Sequence, residues 1–373
     1  MKVLHIITGL YTGGAERTLV NIASRLQGRI RSEVIALTGV GPLGKQLLDA
    51  GVDFIPLGMS RGPLALSAVP RLSRLIADRR PDVVQTWLYH SDLLGGLAAR
   101  MANVSAIVWN IRNGNLSWSL NKATTVLTAN LCARLSHFIP RRIVCCSERS
   151  RDTHAQRGYA QEKFIVIPNG CDLSIFYPQT GAGAALREEL HILHNSLLIG
   201  CVSRWDPHKD IGNLLEALRI IRAIFPHVHL ILCGDRLHNA NRTLNDLIGA
   251  KGLHNFVHCL GDRTDLTKVY SAMDLMALPS RGEGFPNVVA EAMACCVPCV
   301  VTDVGDCSLI VQDTGKVVPP RDPERLAQAC CSLIEIGEEE RRQIGRLGRE
   351  RIERCFSLPK VAERYEALYE EVL

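Results

Sequence analysis

Residues 275–302 read LMALPSRGEGFPNVVAEAMACCVPCVVT and contain a strand, a loop, a helix and a second strand. The apolar runs at 275–278 and 299–302 are typical of buried strands. Pro286 stands where a first helical residue often does, and the residues after it predict a helix over 287–294. Two strands joined by a helix make a βαβ unit, so this segment predicts a parallel sheet.

The same alternation continues on both sides of this unit. Further strands are predicted at residues 3–7, 33–37, 53–56, 83–86, 106–110, 197–202, 229–233 and 257–260, and further helices at 15–26, 44–50, 69–79, 211–224 and 242–251. The alternation restarts after the turn Ile167-Pro168-Asn169-Gly170, whose residue types favour a hinge.

A chain of 373 residues, 47% of them hydrophobic, is long enough to bury two cores. We therefore predict an α/β protein of two tandem Rossmann-like, doubly wound domains with an interdomain cleft. The first domain is expected at residues 1–171 and the second at 172–355. Residues 356–373 have apolar positions three and four apart, which predicts a helix that packs back toward the first domain.

Composition and charge exclude several classes of protein. The 14 cysteines lack the spacing of zinc ligands and indicate buried, reduced thiols. No apolar run is long enough for a transmembrane helix. Residues 1–178 have 21 Lys and Arg against 11 Asp and Glu, whereas residues 179–373 have 22 against 27. Nucleic acid is not expected as a partner of the basic half, because aromatic residues are only 5% of the chain and the cations are not clustered.

Ligands of doubly wound sheets bind beyond the carboxyl ends of the strands, so the loops there are candidate sites. The first such loop has Gly13 and Gly14 before a helix, where backbone amides favour an anion such as phosphate; a plain turn explains them equally well. The loop after residues 197–202 has Arg204 and Lys209, two cations suited to a diphosphate or, alternatively, to a solvated loop.

Glu283 and Glu291 flank the start of the helix at 287–294, eight residues apart. Their carboxylates can accept hydrogen bonds from the paired hydroxyls of a ribose or a hexose. For Glu291 the alternative is a glutamate that only complements the helix dipole. His90 follows the strand at 83–86. At this position a catalytic role and a structural role are equally consistent with the sequence.

Together these segments resemble the retaining nucleotide-sugar glycosyltransferases of family four, which have the GT-B fold and act in bacterial surface polysaccharide synthesis. The matching segments are Gly13 to Glu16, Trp87 to Leu94, Ile167 to Gly170, Arg204 to Asp210, Leu260 to Arg263, Glu283 to Asn287 with Glu291, and Val301 to Gly305. One departure is Cys296, since family members usually have glycine at this tight helix end.

The resemblance implies a role for each matching residue in binding the donor. Gly13 and Gly14 would contact the donor diphosphate from the first domain, and Arg204 and Lys209 would neutralise it from the second. Glu291 would hold the ribose. The transferred sugar would be held by Glu283 and by the backbone amides of Phe285, Pro286, Asn287 and Val288.

The resemblance also implies where the chemistry takes place. His90 would lie near the anomeric carbon, and the nucleotide base would lie near Arg263. The residues expected to be catalytic are His90, Glu283, Arg204 and Lys209. No metal or other cofactor is expected, because cations and a helix start stabilise the departing phosphate and no Asp-x-Asp pair follows a strand.

We therefore expect a retaining, metal-independent hexosyltransferase that moves a sugar from a UDP-sugar or GDP-sugar to a lipid-linked glycan acceptor. The second domain would bind the donor and the first would face the acceptor. A nucleotide-sugar epimerase of the same fold is the alternative. The pair Arg204 and Lys209, in combination with two glutamates, favours transfer.

The basic first half also predicts where the protein works. We expect a cytoplasmic protein with a peripheral position at the cytoplasmic, inner face of the membrane. The amphipathic segment from Leu120 to Arg142 is a candidate for lying in that interface. An ordinary core helix is the other interpretation of this segment, and the one that we favour.

Overall fold

The computed structural model describes residues 1–11, 13–59, 67–114, 116, 121–193 and 195–373. The chain divides into two compact units. The first unit consists of Met1–Gly170 together with Leu358–Leu373, and the second consists of Cys171–Ser357.

The first unit contains a seven-stranded parallel sheet in the order β3-β2-β1-β4-β5-β6-β7. Its strands are β1 (Lys2–Ile7), β2 (Arg31–Ala36), β3 (Asp53–Pro56), β4 (Val83–Trp87), β5 (Ile107–Ile111), β6 (Arg142–Cys145) and β7 (Phe164–Val166). Its helices are α1 (Gly14–Leu26), α2 (Leu43–Asp49), α3 (Val69–Arg79), α4 (Tyr89–Met101), α5 (Ala123–Leu135) and α6 (Glu148–Ala155). The central strands are buried on both faces, as a doubly wound sheet requires.

The second unit repeats the architecture with a six-stranded parallel sheet in the order β10-β9-β8-β11-β12-β13. Its strands are β8 (Leu197–Val202), β9 (Val228–Cys233), β10 (Val257–Gly261), β11 (Leu275–Leu278), β12 (Cys299–Thr302) and β13 (Gly315–Val318). Its helices are α7 (Thr180–Glu189), α8 (Ile211–Ile224), α9 (Arg242–Ala250), α10 (Leu266–Ser271), α11 (Asn287–Ala294), α12 (Cys307–Val311), α13 (Pro323–Glu335) and α14 (Glu338–Cys355). The fold predicted from the alternation of strands and helices, two Rossmann-like α/β domains, is confirmed.

The last helix, α15 (Leu358–Glu371), belongs to the first unit although it follows the second in the chain. Its buried face includes Val361, Tyr365 and Tyr369. The Tyr365 hydroxyl accepts a hydrogen bond of 3.1 Å from Asn110 Nδ2, and its ring stacks on Trp87 with centroids 6.2 Å apart. Both partners lie on central strands, so the helix is held by the core of the first sheet.

All 14 cysteines are free thiols, and only Cys259, Cys296 and Cys355 are not fully buried. Cys296 follows α11 with φ of +62°, the left-handed conformation that glycine adopts most easily. The side chain expected at this tight helix end is therefore accommodated in a strained backbone. Of the helices in the described ranges, none has the length and apolar character that crossing a membrane requires.

Candidate active site

Each sheet reverses its strand order at one point, between β1 and β4 in the first unit and between β8 and β11 in the second. Loops that leave such a reversal diverge and open a crevice beyond the carboxyl ends of the strands. The loop after β8 contains Arg204 and Lys209, and the loop after β11 contains Glu283. The predicted donor residues of the second unit therefore leave adjacent strands.

Lys209 and Glu283 are in direct contact across these two loops. Lys209 Nζ lies 2.5 Å from Glu283 Oε1, with 16% and 10% of the two side chains exposed. The Ser280 hydroxyl donates to the same carboxylate oxygen at 2.6 Å. Partial burial strengthens this ion pair relative to one at the surface. Lys209 and Glu283 thus form one ion pair. The second carboxylate oxygen of Glu283 can accept a hydrogen bond from another donor.

Arg204 lies in a different environment from Lys209. Its side chain is 57% exposed, and its Nε is 3.3 Å from Asp206 Oδ2. Asp206 is itself held in the loop, since it accepts a hydrogen bond of 2.9 Å from the His208 amide. Arg204 therefore keeps most of its guanidinium in solvent, where it can reach an anion.

A second ion pair joins the same loops. Arg281 donates from Nε and Nη2 to the two carboxylate oxygens of Asp210, both at 2.6 Å, and its amide donates to the carbonyl of His208 at 2.7 Å. Asp210 has φ of +46°, so its backbone is strained at the point where it meets Arg281. Sequence reasoning gave neither residue a role, because a charge-matched pair 71 positions apart has no local pattern.

Gly305 packs closely against the backbone of the loop that contains Glu283. Gly305 has φ of +55°, and a side chain there would come within 2.7 Å of the Glu283 carbonyl. The next amide, that of Asp306, donates to the Gly284 carbonyl at 3.0 Å. Phe285 is 7% exposed, with its ring 5.5 Å from that of Phe356. The loop is thus fixed on both sides before α11 begins after Pro286.

Glu291 lies on α11, four residues after Asn287 and three after Val288, and is 9% exposed. Its Oε2 accepts a hydrogen bond of 2.8 Å from the Tyr270 hydroxyl. Burial, together with the charge of Glu291, raises the pKa of Tyr270 well above its usual range, so the phenol stays protonated and donates. Sequence reasoning missed Tyr270, which is brought to Glu291 only by the packing of α10 on α11.

Arg263 follows β10 and is already paired with two carboxylates. Its Nε and Nη2 donate to Asp265 at 2.8 and 2.7 Å, and its Nη1 lies 3.3 Å from Glu189. The hydrogen bonds to Asp265 raise the pKa of this guanidinium. The predicted position of a nucleotide base near Arg263 would therefore involve the surrounding backbone more than this side chain.

The first unit has a cavity of about 300 Å³ at its own strand reversal, where Ile7 of β1 pairs with Trp87 of β4. The side chains around it come from the loops after β1 and β5 and from the first turns of α1, α4 and α5, and include Tyr11, Glu16, His90, Asn113 and Thr125.

His90 lies in the first turn of α4 and is exposed as a whole residue. It lines the cavity, and partial burial by the surrounding protein lowers the pKa of its imidazole. Two residues later, Asp92 is fully buried, accepts a hydrogen bond of 2.5 Å from Thr86 Oγ1, and has its pKa raised to about 8 by burial.

Gly13 is the N-cap of α1, as the glycine pair predicts. The carboxylate of Glu16 lies so close to Gly13 that a side chain at position 13 would collide with it. A carboxylate at this helix start complements the helix dipole, as a bound anion would. Contact of a diphosphate with Gly13 and Gly14 remains a prediction.

In the described part of the chain, no three His, Cys, Asp or Glu side chains are grouped as a metal site would require.

Two family models match the chain in succession. Residues 12–175 match the model described as Glycosyltransferase Family 4, and residues 196–335 match the model described as Glycosyl transferases group 1. The chain is also similar to curated proteins along most of its length. The UDP-Gal:alpha-D-GlcNAc-diphosphoundecaprenol alpha-1,3-galactosyltransferase of Escherichia coli is 25% identical over 308 residues, which are 80% of this chain and 77% of that protein.

A second relative is the N,N'-diacetylbacillosaminyl-diphospho-undecaprenol alpha-1,3-N-acetylgalactosaminyltransferase of Campylobacter jejuni, 22% identical over 92% of both chains. Among solved structures, HepE of Anabaena in complex with UDP-glucose has a TM-score of 0.87 and 24% identity, with 99% of this chain and 100% of that chain covered. This structural likeness extends to both units and shows the fold.

Proposed function

The chain belongs to the GT-B glycosyltransferases, and we propose that it transfers a sugar from a UDP-sugar or GDP-sugar to a lipid-linked glycan acceptor in surface polysaccharide synthesis. The observation that carries this proposal is the contact of Lys209 with Glu283 at the strand reversal of the second unit. A partly buried cation and a carboxylate at one point suit a ligand that has both phosphates and hydroxyls.

The donor diphosphate would be held by Arg204 and Lys209. Departure of the nucleoside diphosphate places negative charge on phosphate oxygens, and cations already in position stabilise that charge as it develops. Lys209 is less exposed than Arg204, so solvent screens its interaction with phosphate less, while its pair with Glu283 offsets part of its charge. Arg204 can form two parallel hydrogen bonds to a phosphate, which lysine cannot.

The hydroxyls of the donor would be held by the two glutamates. Glu283 would accept from the transferred sugar with the oxygen that Lys209 and Ser280 leave available. Glu291, fixed by Tyr270, would accept from the ribose. The first-turn amides of α11, at Asn287 and Val288, would complete the sugar site.

The acceptor would approach the cavity of the first unit. A cavity of about 300 Å³ can admit a sugar ring, and its polar side chains Tyr11, Glu16 and Asn113 can bind hydroxyls. His90 would act there as a neutral imidazole, since its pKa is lowered. We propose retention of the anomeric configuration by attack on the same face, with the leaving phosphate as the base, without a metal.

The names of the relatives support a lipid-linked acceptor. The Escherichia coli and Campylobacter jejuni proteins are both described as transferases that act on a sugar joined by diphosphate to undecaprenol. The excess of Lys and Arg in residues 1–178 of this chain suits such an anionic acceptor and an anionic membrane surface.

We propose a cytoplasmic protein that contacts the membrane peripherally through α5. This helix buries Val126, Ala129 and Cys132, as the favoured interpretation of a core helix predicts. Its other side and the turn after it expose Leu127, Leu131 and Phe138 by 59%, 45% and 74%. The two interpretations of this segment are therefore compatible. Leu120, at its start, lies outside the described residues.

Sedimentation with anionic vesicles tests the membrane contact. The double variant Leu127→Ser and Phe138→Ser is expected to bind vesicles at least about 10-fold more weakly, since burial of each side chain contributes up to about 1.5–3 kcal/mol. Ile224→Ser, which replaces a residue of the second unit exposed by 58%, is the matched control. Equal binding by the three proteins would exclude α5 as the contact.

A transfer assay tests the activity and separates it from the epimerase alternative. Purified protein is incubated with UDP-sugars and GDP-sugars, with and without a sugar diphosphate lipid. We expect free nucleoside diphosphate and an extended lipid only when the acceptor is present. Conversion of the donor sugar in the absence of acceptor would instead indicate epimerisation.

A further inference from the structure

The second unit has a larger cavity, of about 870 Å³, at the amino ends of its strands, opposite the end from which the donor loops leave. Leu197, Asp274 and Pro298 line it, and these residues lie at or just before the amino ends of β8, β11 and β12. The donor loops leave the carboxyl ends of the same strands. This cavity is therefore separate from the site of Lys209 and Glu283.

One wall of the cavity includes a buried arginine with no acidic partner. Arg341 is 7% exposed, and its Nη1 donates to the carbonyls of Leu333 and Ile334, at 3.2 and 2.9 Å, where α13 ends. No carboxylate in the described residues lies within ion-pair distance of it. These carbonyls lie at the negative end of the α13 dipole and offset part of the charge of Arg341, and an anion in the cavity would supply the full counter-charge.

The other arginines of the cavity have acidic partners. Arg187 Nη2 lies 2.6 Å from Asp274, and its Nε and Nη1 donate to the backbone. Arg342 pairs with Glu338. Arg346, at 51% exposure, lies 3.0 Å from Glu339. The arginine of the wall without a carboxylate partner is thus Arg341, with Arg346 near the solvent.

The start of α7 lies on the same cavity. Gln179 is its N-cap, and both Gln179 and Gly183 line the space. The first turn of this ten-residue helix has no acidic side chain, so its dipole is not complemented. The amides of a helix start favour phosphate, and they are an anion-binding element independent of Arg341.

Tyr270 connects this cavity to the donor site. It lines the cavity, and its hydroxyl donates to Glu291 at 2.8 Å. Cys295 and Cys296, directly after α11, line the cavity as well. A ligand that moves Tyr270 or the end of α11 would therefore move the carboxylate proposed to hold the ribose.

We propose that this cavity is a second binding site, for a phosphorylated small molecule, and that its occupancy alters donor binding through Tyr270 and α11. Arg341 and the first turn of α7 hold the phosphate, and Arg346 contributes from the rim. The volume admits a sugar phosphate or a nucleotide. The effect on the donor rests on the proposed transferase function, whereas binding in the cavity does not.

Calorimetry with pyrophosphate as the probe tests binding, with Lys209→Ala as the background so that the donor loops contribute little. Saturable binding is expected in this protein, and at least 10-fold weaker binding when Arg341→Gln is added. Arg346→Glu, on the exposed rim, is expected to weaken binding several-fold without affecting folding. Arg242→Glu, at an exposed site outside the cavity, is the matched control and keeps the affinity.

Absence of saturable binding in the Lys209→Ala background would overturn the proposal, as would equal affinity in Arg346→Glu and Arg242→Glu. The coupling is measured as the donor KM at increasing pyrophosphate. Direct competition between pyrophosphate and the donor at the donor loops should raise the donor KM equally in wild type, Arg346→Glu and Arg242→Glu. Coupling through the cavity should change the donor KM in wild type and Arg242→Glu but not in Arg346→Glu. An identical dependence of the donor KM on pyrophosphate in the three proteins would contradict the coupling.

Discussion

Arg281 and Asp210 form a two-bond ion pair, 2.6 Å at each contact, between the loops that carry the proposed donor residues. Lys209 precedes Asp210 directly, and Glu283 lies two residues after Arg281. The contact between Lys209 and Glu283 therefore depends on a neighbouring pair that need not touch the donor. We regard Asp210 and Arg281 as positioning residues.

Replacing Arg281→Ala is expected to raise the donor KM more than it lowers kcat, because the two loops lose their alignment. The free energy of unfolding should fall by about 1–3 kcal/mol, a range that allows for the partial exposure of Arg281. Urea unfolding and steady-state kinetics measure the two effects. Arg281→Lys, which keeps the charge without the bidentate geometry, should lie between wild type and Arg281→Ala. An unchanged KM would show that the pair is only structural.

Glu283→Gln keeps the size of the side chain but removes its charge. Lys209 then loses its counter-charge and is more available to phosphate, so nucleoside diphosphate binding should be kept or strengthened. Turnover should fall by about 10- to 100-fold, since a charged hydrogen bond to the transferred sugar contributes about 1.5–3 kcal/mol. Calorimetry and kcat separate these effects. Full turnover in Glu283→Gln would remove Glu283 from the sugar site.

Tyr270→Phe removes one hydroxyl and leaves the ring in the core. Glu291 loses the hydrogen bond that orients it, so affinity for the nucleoside diphosphate should fall by about 2- to 10-fold, which corresponds to about 0.5–1.5 kcal/mol. The loss should disappear when Glu291→Ala is already present, because the hydroxyl then has no carboxylate to orient. An equal loss in the Glu291→Ala background would place the effect outside the ribose contact.

The buried carboxyl group of Asp92 is expected to make the stability of the protein depend on pH. Burial raises its pKa from 3.8 to about 8, so between about pH 4 and pH 8 the folded state holds a proton that the unfolded state has released. The free energy of unfolding contributed by this group is therefore greatest below about pH 4 and decreases as the pH rises toward 8. Asp92→Asn lacks this dependence. Urea unfolding at pH 5 and pH 9 should show wild type losing more stability than the variant, and parallel losses would contradict the assignment.

The sequence predicts most of the strands, though not β6 or β13, many of the helices and the loops that follow strands, because these depend on local apolar periodicity and on turn residues. Glu283 and Glu291 could be found from their spacing around a helix start. Asp210, Arg281 and Tyr270 could not, because their contacts depend on β8 lying beside β11 and on α10 packing against α11. No spacing within one element encodes that proximity.

Glu16 illustrates a different limit, in which a recognisable motif fits two structural arrangements. The motif that contains Gly13 and Gly14 is read as a phosphate loop because glycine exposes the backbone. In the structure the lack of a side chain at Gly13 also makes room for a carboxylate. The same two glycines are compatible with both arrangements, so the pattern alone does not distinguish them.

The affinity of the protein for UDP and GDP tests the central claim most directly, measured by calorimetry in wild type, Lys209→Ala and Lys316→Ala. Lys316 is exposed on β13 and is the matched control. We predict that wild type and Lys316→Ala bind one of the two nucleotides equally well, and that Lys209→Ala binds it about 10- to 100-fold more weakly, as the loss of a charged hydrogen bond implies. Equal affinity in all three proteins, or no binding of either nucleotide by wild type, would contradict the proposed donor site.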